Sequence, residues 1–78
     1  MKTNTVTFAA PTRYEFSAGH KPRGFGAWAF EADFGDTSLL IWTPSMTYSA
    51  AKAHAKTEVL NIAAAAGYSG SIELEVQP

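Results

Sequence analysis

An alternating apolar segment followed, after a glycine and an aspartate, by a second segment of extended character constrains the fold of this chain more than any other feature. The segments are 27–34 and 37–43, and Gly35 and Asp36 lie between them. This pattern is typical of a β-hairpin with a two-residue loop. Antiparallel pairing across that loop predicts one shared face with four cross-strand pairs: Phe34 with Thr37, Ala32 with Leu39, Phe30 with Ile41, and Trp28 with Thr43.

The same register predicts the composition of the other face. There it pairs Ala29 with Trp42, Glu31 with Leu40, and Asp33 with Ser38. A slip of one residue in either strand would exchange the two faces, so the exposure of Trp42 depends on this register. An alternative is that the N-terminal segment, with Phe8 or Tyr14, folds over Trp42 and completes the core.

A helix is predicted after the hairpin, over 48–66. Pro44 ends the preceding strand, hydroxyls at 45–47 are available to cap the helix, and Gly67 provides a stop. At 100° per residue an apolar stripe forms that can pack on a sheet. Its members are Tyr48, Ala51, Ala55, Val59, Ile62 and Ala66.

The flanking regions predict further strands. Strict alternation over 71–76 directs Ile72, Leu74 and Val76 inward and Glu73 and Glu75 outward. Near the N-terminus, Val6 and Phe8, followed by Tyr14 and Phe16, indicate one broken strand or two short ones. The glycine-rich segment 17–26 is expected to be a mobile loop.

Together these elements predict one α+β domain over 1–78. It contains an antiparallel sheet of three to five strands with one α-helix packed on one face, in the order strand(s), strand, strand, helix, strand. No second helix is expected to cover the opposite face, which is therefore either solvated or a recognition surface.

Composition limits the classes of function. Six Lys and Arg against seven Asp and Glu give a net charge of −1, which lacks the positive field of a non-specific nucleic-acid binder. The absence of cysteine excludes disulfides, cysteine zinc sites and thiol catalysis. No window approaches a membrane span, and the first seven residues lack the apolar core of a signal peptide. We expect a soluble cytoplasmic protein without a membrane partner.

The sequence contains no recognisable catalytic or metal-binding pattern. His20 and His54 lack the spacing of metal ligands, and no nucleophile elbow is present. The paired carboxylates lie two residues apart on an exposed strand face, where water keeps them ionised. We therefore predict a protein that is not an enzyme and has neither a metal nor a cofactor.

The uncovered sheet face is the candidate site. Its predicted members are four acidic residues and two large apolar ones: Glu31, Asp33, Glu73, Glu75, Leu40 and Trp42. A large aromatic side chain among carboxylates is a plausible hot spot for a basic partner, because the ring provides contact area while the charges steer approach. We expect the partner to be a larger basic protein or nucleoprotein complex, bound without direct contact to nucleic acid.

In size and layout the chain resembles the anti-CRISPR proteins, the small phage-encoded inhibitors of bacterial immunity. The resemblance consists of one compact domain without cysteine or a catalytic constellation, in which a sheet and a helix present acidic side chains. It implies a viral protein that acts in the host cytoplasm. There the carboxylates would occupy the nucleic-acid groove of a CRISPR effector, with Trp42 as the apolar anchor.

Two alternatives remain open. The segment from Arg23 to Phe30, RGFGAWAF, resembles the RNA-recognition octamer and the shorter motif of cold-shock domains, although Ala27 and Trp28 depart from the octamer's pattern. It implies a small RNA- or single-strand-binding module with four contact residues: Arg13, Lys21, Arg23 and Phe25. The other alternative is a homo-oligomer that packs through the outer helix face of Ala53, Leu60 and Ala64, or through a sheet edge.

Overall fold

The computed structural model describes residues 4–78 and confirms the predicted α+β class. In chain order the elements are β1 (Asn4–Phe8), α1 (Thr12–Ala18), β2 (Phe25–Gly26), β3 (Ala29–Asp33), β4 (Ser38–Trp42), β5 (Met46–Thr47), α2 (Tyr48–Ala66) and β6 (Gly70–Val76). Four strands form the main sheet in the order β1, β6, β3, β4, and β2 pairs with β5. The β3 strand is antiparallel to both β4 and β6, whereas β1 runs parallel to β6.

The hairpin has the predicted register. Ala29 lies opposite Trp42, Glu31 opposite Leu40, and Asp33 opposite Ser38. The turn closes with a 2.8 Å hydrogen bond from the Phe34 amide to the Thr37 carbonyl oxygen. Gly35 has a φ of 103°, a conformation that side chains disfavour, and its amide donates to Asp33 Oδ1 at 2.8 Å. Local turn chemistry therefore determines which side chains face the helix.

Helix α2 begins and ends where the pattern predicts. The Thr47 hydroxyl accepts a hydrogen bond from the Ala50 amide at 3.3 Å, and Gly67 adopts the left-handed conformation at the C-terminus. The predicted stripe is correct except at its last member, because Ala66 is exposed and Ala63 is buried. The fully buried side chains of the helix are Ala51, Ala55, Val59 and Ala63, so three alanines allow it to lie close to the sheet.

The core lies between α2 and the inner face of the sheet. Phe30, Ile72, Leu74 and Val59 have no exposed surface, and burying each contributes about 1.5–3 kcal/mol. Trp28 closes one end of this cluster with only 7% of its surface exposed. Its indole Nε1–H donates to the carbonyl oxygen of residue 46 at 3.1 Å, which satisfies the one polar group of the ring.

The predicted second N-terminal strand is wrong, because residues 12–18 form helix α1. The alternation of Tyr14 and Phe16 covers only three residues, too few to distinguish a strand from one helical turn. The stronger signals flank the segment. Pro11 precedes the first turn, where a missing N–H is tolerated, and Gly19 ends the helix with a φ of 80°. The sheet therefore has a short second helix at its end.

The segment expected to be a mobile loop, 17–26, is partly ordered. Strand β2 pairs with β5 through Phe25 opposite Thr47 and Gly26 opposite Met46. The Tyr48 amide also donates to the Gly24 carbonyl oxygen at 3.1 Å. These contacts tie the glycine-rich segment to the start of α2.

Candidate functional site

We use the name open face for the side of the main sheet that α2 does not cover. Its central side chains come from β6, β3 and β4, and they are Glu73, Glu75, Glu31, Asp33, Ser38, Leu40 and Trp42. Cross-strand pairing arranges them in rows. The first row contains Glu73, Asp33 and Ser38, and the second row contains Glu75, Glu31 and Leu40. All six predicted partner-binding residues therefore lie on one surface.

The apolar part of the open face is exposed. Trp42 has 67% of its surface accessible to solvent and Leu40 has 48%, whereas Trp28, on the opposite side of the hairpin, has 7%. The N-terminal segment does not cover Trp42. Phe8 lies on the helix side, 6.3 Å from the ring of Phe30, and the ring of Tyr14 lies 5.7 Å from that of Trp28. A large exposed indole on a small domain is typical of an interaction site.

Helix α1 places one cation over the second row of carboxylates. Arg13 Nη2 donates to Glu75 Oε1 at 2.6 Å and to Glu31 Oε1 at 3.1 Å, and Nε donates to Glu75 Oε2 at 3.3 Å. The hydrogen bonds to Glu75, and then those to Glu31, raise the pKa of Arg13 above its ordinary value. Glu31 and Glu75 are neighbours of like charge across two strands, so Arg13 compensates their repulsion.

The first row has no such compensation. Asp33 lies directly opposite Glu73, and no salt bridge within residues 4–78 involves either side chain. Like charges at facing positions of an antiparallel pair destabilise a sheet. With four carboxylates and one guanidinium, the open face remains negative, and its uncompensated charge is concentrated at Asp33 and Glu73.

The structure separates the residues of the predicted nucleic-acid contact. The Arg13 guanidinium is held by carboxylates, and Lys21 is exposed in the segment after α1. Arg23 and Phe25 instead lie beside Trp42, where a depression of about 360 Å³ opens next to the open face. Its lining includes Tyr14, Arg23, Phe25, Trp28, Trp42 and Gln77.

Sequence reasoning did not predict this aromatic depression. Phe25 is 75% exposed, and the pairing of β2 with β5 brings it to the same region as Trp42. A two-residue strand leaves no periodic signal, so the sequence did not reveal this pairing. Arg23 is the one charged side chain among the described lining residues, which suits an apolar or anionic group better than a cation.

Histidine and acidic side chains outside the open face are the remaining candidates for metal ligands. Within residues 4–78, no group of three or more histidine, cysteine or acidic side chains is arranged to hold a metal ion. His54 Nε2 lies 3.9 Å from Glu58 Oε1, an exposed pair one helical turn apart. On the outer face of α2, Ala53 and Ala64 are exposed and Leu60 is half-buried.

No model of a known protein family matches the sequence, and no curated protein or solved structure gives a significant match. Neither helix in the described part of the chain combines the length and apolar character needed to cross a bilayer.

Proposed function

We propose that this protein is a non-enzymatic binding protein whose open face docks onto a positively charged surface of a larger protein. The observation that carries the proposal is Trp42, 67% exposed on the same face as the uncompensated Asp33 and Glu73. The indole provides an anchor with much contact area and few rotamers. The carboxylates steer a basic surface toward it, and Asp33 and Glu73 gain cationic partners that residues 4–78 do not provide.

Two contributions to binding follow from this geometry. Lysines or arginines of the partner would meet Glu73 and Asp33, replacing a repulsive cross-strand pair with charge-assisted hydrogen bonds. Apolar side chains would cover Trp42 and Leu40 and enter the depression beside Phe25. The partner surface is therefore mixed, with its basic part over the first row and its apolar part over the indole.

The finer form of the proposal takes its partner from the resemblance to anti-CRISPR proteins. In this form the chain is a phage-encoded inhibitor in the host cytoplasm, and the partner surface is the basic nucleic-acid groove of a CRISPR effector. Inhibition would be steric and electrostatic, because carboxylates that occupy the groove exclude phosphates of a guide or target duplex. No catalytic step is required.

A binding experiment with three single variants tests the proposal. The probes are purified, guide-loaded CRISPR effector complexes immobilised for interferometry, together with a bacterial lysate for capture. Trp42→Ser should weaken binding by about 30-fold or more, since a hot-spot truncation costs about 2 kcal/mol or more. Glu73→Lys should weaken binding as well and reduce its dependence on salt.

Glu58→Lys is the matched control. It makes the same charge change on an exposed site of α2, away from the open face, and should leave binding unchanged. If no effector binds, but the chain captures another protein from the lysate and Trp42→Ser abolishes that capture, the CRISPR form is refuted and the docking face is retained. Capture that is indifferent to both Trp42 and Glu73 would refute the docking face itself.

A second function, single-strand nucleic-acid binding, is favoured by the depression. Exposed Phe25 and Trp42 rings beside Arg23 form the combination on which bases stack in single-strand binders. The discriminating probe is a labelled single-stranded oligonucleotide in RNA and DNA forms. This function requires Arg23→Glu to abolish binding to the oligonucleotide and Glu73→Lys to strengthen it. For a basic protein partner, Glu73→Lys has the opposite effect and weakens binding.

A further inference from the structure

Strand β4 is an edge strand, and two hydrogen bonds fix which of its residues face the sheet. Among residues 4–78 its only neighbour is β3. The Phe34 amide donates to the Thr37 carbonyl oxygen, and the Thr43 amide donates to the Trp28 carbonyl oxygen, both at 2.8 Å. Residues 37 and 43 therefore direct their backbone groups toward β3.

The residues between them alternate in direction. In an antiparallel ladder, successive residues direct their backbone N–H and C=O groups alternately toward and away from the neighbouring strand. Leu39 and Ile41 thus bond to β3, and Ser38, Leu40 and Trp42 direct theirs to the free edge. No loop hydrogen bond of the described chain reaches these three residues.

Nothing in the sequence of β4 protects this edge. Natural edge strands are usually blunted by charged side chains, proline or a bulge, but Ser38–Trp42 reads SLLIW and contains no charge or proline. The exposed side chains of Leu40 and Trp42 lie directly beside the free backbone groups. The opposite edge strand, β1, has polar residues on the open-face side, Thr5 and Thr7, where β4 has the apolar Leu40 and Trp42.

We propose that β4 pairs antiparallel with β4 of a second copy of this chain, about a two-fold axis that passes at Leu40. In this register Leu40 lies opposite Leu40 of the second copy, and Ser38 lies opposite Trp42. All three outward-facing residues then form hydrogen-bonded pairs, each exchanging two bonds. A two-fold interface of this kind requires a self-complementary strand, and β4 fulfils that requirement.

The side chains fit this register on both faces. On the open face, leucine meets leucine and the large indole meets a small serine, which leaves room for the ring. On the helix face, Leu39 meets Ile41 of the second copy, another apolar pair. Leu39 also lines an apolar cavity of about 220 Å³ with Ile62 and Tyr68, and the second copy's strand would lie along its mouth.

The charges fit as well, which favours a second copy over an unrelated strand. Ser38 continues the acidic row of Asp33 and Glu73, whereas Trp42 continues the row of Ala29, which carries no charge on β3 or β4. The two-fold places the row of Asp33 and Glu73 of one copy against the uncharged row of the other. The row of Glu31 and Glu75, which Arg13 bridges, meets the same row of the second copy, and the two leucines at position 40 lie between the two sets of carboxylates. The pairing leaves both open faces on one side and does not depend on the proposed function.

Sedimentation velocity at increasing protein concentration tests the pairing. The mass of the wild-type chain should rise from 8.4 kDa toward twice that value and then remain constant. Leu40→Lys and Leu40→Glu should each stay at the monomer mass, because each places two like charges at the two-fold axis. Circular dichroism confirms that each variant is folded.

Mixing the two variants provides the decisive measurement. Position 40 faces itself only in the proposed register, so an equimolar mixture of Leu40→Lys and Leu40→Glu should form a heterodimer. Leu60→Lys is the matched control on the outer face of α2 and should dimerise like wild type. The proposal is overturned by a wild-type chain that stays monomeric or grows beyond a dimer. Failure of the mixture to associate, or loss of the dimer in Leu60→Lys, also overturns it.

Discussion

Arg13 and Glu75 form a bidentate ion pair although 62 positions separate them in the chain. Arg13 Nη2 lies 2.6 Å from Glu75 Oε1, and Arg13 Nε lies 3.3 Å from Glu75 Oε2. The pair links helix α1 to β6, one of the two inner strands of the main sheet. It also lowers the negative charge of the open face, since the same guanidinium binds Glu31 at 3.1 Å. Arg13 therefore contributes to both the position of α1 and the electrostatics of the candidate site.

Arg13→Gln should lower the midpoint of thermal unfolding in dilute buffer, because it leaves Glu31 and Glu75 as an uncompensated like-charged pair. The difference from wild type should shrink in concentrated salt, which screens that repulsion. Arg23→Gln, at an exposed site without a salt bridge within residues 4–78, is the control. A salt-independent loss in Arg13→Gln would mean that packing of α1, and not charge, is affected.

The two tryptophans should be distinguishable by fluorescence. Trp42 is 67% exposed and Trp28 is 7% exposed, so acrylamide should quench one population readily and the other poorly. Trp42→Phe should retain only the blue-shifted, protected emission. Trp28→Phe should retain only the accessible one, provided that its circular dichroism shows a folded chain. Equal quenching of both single-tryptophan variants would contradict the assignment of Trp42 to the exposed face of the hairpin and of Trp28 to the buried face.

The buried alanines of α2 should not tolerate larger side chains. Ala55 has no exposed surface and faces the sheet, so Ala55→Leu should cost about 1–3 kcal/mol of unfolding free energy through overpacking. Ala53→Leu makes the same change on the exposed side of the helix and should stay within about 0.5 kcal/mol of wild type. Urea denaturation measures both. Equal effects would show that the helix does not pack through its alanine stripe.

Alkaline pH should lower the contribution of Tyr48 to the free energy of unfolding. Burial, and to a lesser extent Tyr14, raises the pKa of Tyr48 above its ordinary value. Since the folded pKa exceeds the unfolded one, the corresponding stability is fully present below about pH 10 and is lost as pH rises through the folded pKa. Wild type should therefore lose more unfolding free energy than Tyr48→Phe above that pH. Parallel losses in urea titrations of the two chains would contradict this.

Local chemistry made much of the fold predictable. The two-residue loop at Gly35 and Asp36 predicted the hairpin register, and the cap and stop residues of α2 predicted the limits of the helix, because each depends on residues close in sequence. The exposure of Trp42 followed from that register, because successive side chains of a strand point to opposite faces of the sheet. These features needed no knowledge of the rest of the chain.

The features that were missed depend on distant contacts or on very short elements. The salt bridges of Arg13 join α1 to β3 and β6, and no local pattern indicates such a bridge. Helix α1 has only seven residues, and β2 and β5 have two each, lengths at which periodicity carries no information. The aromatic depression was missed for the same reason, since it requires β2 to bring Phe25 toward Trp42.

The place of β6 between β1 and β3 has a consequence for biosynthesis. Its register places Asn4 opposite Gly70 and Phe30 opposite Val76, so the middle of the sheet is filled by the segment that leaves the ribosome after the other described strands. Until residue 76 has emerged, the nascent hairpin has no neighbour on its β3 side and α2 has only part of its platform. The sheet is therefore expected to close only after residue 76 has emerged, with the slow closure of contacts between distant residues that such a topology imposes.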